Sequence, residues 1–167
     1  MMSRRSVFLA IFVLAFLPEF AISDDILFLE GEALTRIMPA SFYFEGRSGP
    51  TQMRNAVAVR FGEKRHVIAA LVDTEGYASE IRDKYEGFFI TDSKISVGGQ
   101  DVVPGAYGFG FTKESKFNLF DVGGNLLVSA QGARDTATRT PRPLTILKDN
   151  GGVRLYRGRS YVVFAVK

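Results

Sequence analysis

The sequence predicts a mainly β fold, an antiparallel β-sandwich, with a small β-barrel as the alternative way of closing the sheet. Three observations carry this. Short apolar and aromatic runs recur along the chain between glycine-bearing turns, about eight to twelve residues apart. Several of these runs alternate between two faces, the period of a strand. Only one stretch after the N-terminal segment, residues 76–86, keeps a helical period, with Tyr77, Ile81 and Tyr85 on one stripe.

The N-terminus reads as an export signal. Arg4 and Arg5 precede an apolar run from Val7 to Leu17, and Pro18 closes it. A spanning helix needs about 20 apolar residues, so this run is too short to cross a membrane. Ala21-Ile22-Ser23 fits the small-residue cleavage pattern. The expectation is a cleavable signal over 1–23 and a single β-sandwich-like domain over 24–167, located in the periplasm or outside the cell. The chain has no cysteine, which excludes both disulfides and acylation of a lipoprotein cysteine.

Within the domain, Ile26 to Leu29 reads as a first strand and Ser41 to Glu45 as an aromatic second one, with Gly46 to Pro50 as the turn after it. Gln52 to Phe61 and His66 to Val72 read as a hairpin around Gly62 to Arg65. The second arm is apolar on both faces, so it belongs in the sheet centre. The 76–86 helix follows. Phe88 to Thr91 and Lys94 to Val97 are short strand pieces. Phe117 to Asp121 and Leu126 to Ser129 are further strands. Thr145 to Lys148 and Val153 to Tyr156 flank the turn Asn150-Gly151-Gly152, and Ser160 to Lys167 is a β-branched final strand.

Gly98 to Phe111 organises this pattern. Gly98-Gly99 makes a turn, Pro104 fixes the entry, and a two-faced strand follows. Tyr107, Phe109 and Phe111 share one face and predict burial. Ala106, Gly108 and Gly110 share the other, which is nearly bare, so another part of the chain is expected close against it.

The residues available for chemistry are few. His66 is the only histidine, which rules out a zinc cluster of several nitrogen and sulfur ligands. No nucleophile elbow and no phosphate-cradling loop is present. No catalytic residue, metal ligand or cofactor is therefore assigned. Carboxylates at Asp73, Glu75, Glu80, Asp83 and Glu86 leave a small hydrolase open as an alternative, and the fifteen phenylalanines leave open a barrel that carries an apolar ligand.

Charge is divided unevenly. From Arg134 onward there are eight basic residues and two acidic ones, while 24–133 hold 11 basic and 15 acidic. The proline-punctuated loop from Gln131 to Pro143 carries Arg134, Arg139 and Arg142, the residues expected to bind an anionic ligand. Arg154, Arg157 and Arg159 follow, and the two groups could share a face. Tyr107 and Tyr156 are the expected aromatic platform. Export argues against nucleic acid, so the expected partner is an anionic envelope glycan or lipid surface.

The residues Gly98-Gly99, Pro104-Gly105 and Tyr107 resemble a strand-entry motif of small exported bacterial β-domain proteins of unknown function. The likeness covers about residues 88–129. It departs at Val103 and at Gly105, which follows Pro104 with no alanine between. The resemblance implies an exported bacterial β domain and transfers no activity. The resulting expectation is a non-enzymatic binding or structural role at the bacterial envelope.

Overall fold

The computed structural model describes residues 25–167; the expected signal segment and its cleavage site lie outside the described residues. The fold is mainly β, with two antiparallel sheets and no closed barrel. In chain order the elements are β1 (Ile26–Leu29), α1 (Gly31–Ile37), β2 (Ser41–Phe44), β3 (Arg47–Phe61), β4 (Arg65–Val72), α2 (Ser79–Arg82), β5 (Gly87–Thr91) and β6 (Ile95–Val97). They continue with β7 (Gln100–Val102), β8 (Gly105–Phe111), β9 (Lys116–Phe120), β10 (Leu126–Gln131), β11 (Ala133–Arg134), β12 (Thr145–Asp149), β13 (Gly152–Arg157) and β14 (Ser160–Val166).

The larger sheet runs β1-β3-β4-β5-β8-β9-β10, with β2 paired to β3. The smaller runs β12-β13-β14-β6-β7, with β11 paired to β14. Phe61, Phe89, Phe109, Phe117 and Phe164 fill the space between the sheets together with Leu119, Leu155 and Val162. Phe89 meets Phe164 edge-on at 5.8 Å, which joins the two layers. These rings form a packed core rather than a ligand cavity.

A second apolar cluster covers the other face of the larger sheet. Phe42, Phe44, Tyr77, Tyr85 and Met38 pack there on Ile68, Ala70, Val72 and Phe88. This explains why β4 is apolar on both faces: one serves the inter-sheet core and the other serves this outer layer.

Among the described residues two helices appear rather than one. The expected helix at 76–86 is reduced to the single turn α2, although Tyr77 and Tyr85 are both buried as its stripe required. Packing of these rings on Phe44 and on each other holds the segment, and Gly87 starts the next strand. α1 was not signalled, because it buries no residue and has no side-chain cap. The turn after β2 is also shorter than expected. Glu45 and Gly46 both take positive φ, 44° and 84°, the geometry of a tight hairpin, and β3 begins at Arg47. Phe88 to Thr91 and Ile95 to Val97 fall in different sheets.

Candidate functional site: a basic loop and the open edge of the sandwich

The loop after β11 is tied to the turn between β13 and β14. Arg134 is in register with Ser160. The Asp135 amide donates to the Arg159 carbonyl at 2.8 Å, and the Gly158 amide donates to the Arg142 carbonyl at 3.0 Å. Arg159 Nε donates to the Thr138 carbonyl at 3.3 Å. The loop arginines and Arg159 therefore sit on segments that the fold brings together.

Asp135 organises the loop from inside. Its carboxylate accepts from the Thr138 hydroxyl at 2.9 Å and the Ala137 amide at 2.8 Å. These bonds, the Thr138 hydroxyl first, hold its carboxyl below the ordinary range. The only acid in the loop is thus occupied by turn geometry. Arg134, Arg139 and Arg142 are exposed and make no ion pair among the described residues. Arg154 and Arg157 behave differently. Arg154 is bonded to Asp149 at 2.9 Å and lies over the Tyr161 ring, and Arg157 is bonded to Glu86 at 2.9 Å.

Beside this loop β12 packs across β3 at the edge of the sandwich. On the opposite side the layers are joined, since Gln100 Nε2 donates to the Ser129 carbonyl at 2.6 Å between β7 and β10. At the β12 edge lies a groove of about 510 Å³, bordered by Arg54, Val57, Arg142, Ile146 and Lys148. A second depression of about 460 Å³ meets it at Asn55 and Pro143 and reaches Arg82, Glu86 and Arg157. A break in the β3–β4 register between Thr51 and Ala56 takes Arg54 and Asn55 out of the ladder and into the rim.

Neither expected platform tyrosine presents a ring to solvent. Tyr107 is 7% exposed and donates to the Val103 carbonyl at 2.8 Å, and Tyr156 is 4% exposed against Tyr161. His66 Nδ1 lies 3.1 Å from Asp92 Oδ2 beside a shallow depression whose other lining residues are Ile37, Ile68 and Ile90, none of them a nucleophile. Glu86 holds structure, taking the Phe111 amide on one oxygen and Arg157 on the other, both at 2.9 Å. Asp121 is used by its own turn, accepting from the Gly123 and Asn125 amides at 2.9 Å. No group of three metal-ligating side chains occurs among the described residues.

Sequence reasoning singled out Arg142 but did not connect Arg54 or Lys148 to it. Their proximity depends on β12 packing across β3, a long-range relation that no local pattern encodes. Fold and site together define a two-sheet β-sandwich domain with a cationic loop at one edge. Comparison with protein-family models, curated proteins and solved structures finds no match to this chain.

Proposed function

We propose that this chain is an exported, non-enzymatic binding domain whose basic loop holds it to an anionic glycan of the bacterial envelope. The observation that carries the reading is the set of arginines 134, 139 and 142, exposed and without an ion pair among the described residues, on a loop whose one acid is already bonded. Cations without local counter-charges raise the local concentration of a polyanion and bind it in a salt-sensitive way. A glycan is favoured over a lipid surface because the loop exposes no large apolar side chain that could enter a bilayer interface. The ordered backbone ties to Gly158 and Arg159 reduce the entropy lost on binding.

Retention of the exported protein on an anionic polysaccharide matrix, run beside sedimentation with anionic and neutral lipid vesicles, tests the proposal. Salt-sensitive retention on the polysaccharide supports it. Binding to anionic vesicles alone would replace the glycan by a lipid surface, and binding to neither would remove the anionic partner.

A further inference from the structure

The two sheets end unevenly beside the loop. In the larger sheet, β1 continues the layer one strand beyond β3. In the smaller sheet the last strand is β12, which packs across β3. Ile26 and Phe28 of β1 pack against the inter-sheet core, as does Ile146 of β12. The groove of about 510 Å³ occupies that step, between the edge of β12 and Phe28 and Leu29 of β1.

A terminal strand presents a row of unpaired amides and carbonyls, and natural proteins blunt such edges with bulges, prolines or cover. β12 has neither proline nor bulge, and its five residues pair with β13 in unbroken register from Thr145 to Asp149. Its length of about 17 Å, at about 3.3 Å per residue, suits an added strand of similar size. Apolar Val57 and Ile146 line the groove beside Arg54, Arg142 and Lys148, none of which is ion-paired among the described residues. Glu30 is the only carboxylate in the lining.

We propose that the β12 edge takes up an extended acidic peptide segment of another protein by strand addition. Main-chain bonds to β12 would supply affinity. Side chains on one face of the added strand would meet Ile146 and Lys148, which share a face of β12. Self-pairing is disfavoured, because two antiparallel β12 edges centred on Thr145 would bring Arg142 against Lys148 of the second copy. A glycan suits this groove less well, since Phe28 is its only aromatic residue and a free strand edge matches a peptide backbone. This site is distinct from the loop contacts proposed above. The two share only Arg142, so the test leaves that residue unchanged.

The probe is a fluorescent octapeptide of alternating aspartate and valine, followed by anisotropy at low salt. Its control is the same peptide N-methylated at every residue, which keeps charge but deletes the strand-forming amides on both edges. The R54S/K148S double variant changes two exposed side chains, and an unchanged melting temperature confirms its fold. Strand addition predicts that the parent binds the unmodified peptide, that either change weakens binding at least about tenfold, and that those β12 amides that point away from β13 gain hydrogen-exchange protection. The polysaccharide retention of R54S/K148S should survive, which separates this proposal from the loop reading. Failure to bind the peptide overturns the proposal. Equal affinity for the N-methylated control leaves only charge attraction and overturns it too. Displacement of the peptide by an oligouronate, without amide protection, would make the groove a glycan subsite. Concentration-dependent dimerisation through β12 in sedimentation velocity would make it a self-interface.

Discussion

Phe44 lies against the bare Cα of Gly108: a Cβ at that position would stand 2.4 Å from Phe44 Cε2. The contact lets the β2 hairpin seal the outer face of the larger sheet, where the Phe44 ring also stacks on Tyr85 at 4.0 Å. Gly110 meets backbone instead, with its missing Cβ 2.0 Å from the Lys84 carbonyl oxygen. A side chain can yield by changing rotamer, whereas a carbonyl can move only with its chain. Gly108→Ala should therefore destabilise by about 1–3 kcal/mol, as overpacking does, and Gly110→Ala should cost more. Urea unfolding of both variants checks the order. Equal and negligible losses would mean that the outer layer does not press on this face.

Phe109 is the inward counterpart of these glycines and is fully buried between Phe117 and the rest of the inter-sheet core. Phe109→Ala should cost about 3–5 kcal/mol in urea unfolding. An unchanged midpoint would contradict the burial of this ring.

Asp101 ties the β6–β7 hairpin to the C-terminus. It bonds Lys167 and, at 2.8 Å, Lys94. Hydrogen bonds from Lys167 and then Lys94 hold its carboxyl down to about 2, from an ordinary value of 3.8. Because the folded value is the lower one, these contacts favour the fold above about pH 4, and their contribution is lost as the pH falls towards 2. A carbon-detected NMR titration should place Asp101 near that low value, and Asp101→Asn should flatten the loss of stability over the same window. The side chains are exposed, so the effect is small and screened by salt. Titration at the ordinary aspartate value would contradict the arrangement.

The proposed export signal gives a prediction independent of the fold. N-terminal sequencing of protein recovered from the periplasm or medium should begin at Asp24, following Ala21-Ile22-Ser23. A mature chain that begins at Met1 would remove the signal.

The alternation in β8 was legible because both of its faces are decided locally, by aromatics on one and glycines on the other. The double burial of β4 was legible for the same reason. The helix over 76–86 was overextended because the tyrosine stripe reports burial, and burial here comes from Phe44 rather than from continuous helical bonding. α1 carries no such stripe: only Leu34 and its neighbourhood touch the outer cluster. The arginine loop could be read from charge and proline content. Its docking on Gly158 and Arg159, and the groove between β12 and β1, arise from sheet order, which short-range patterning does not specify.

The proposed polyanion binding rests on the loop arginines. It is tested most directly by the salt concentration at which the protein elutes from an anionic polysaccharide column. The attraction should weaken as the Debye length shortens to about 8 Å near physiological ionic strength. The parent should be retained at low salt. The R134S/R139S/R142S variant should elute clearly earlier, with stability changed by no more than about 0.5 kcal/mol per site. Elution of the triple variant together with the parent would contradict the claim and leave the loop a solvated connector.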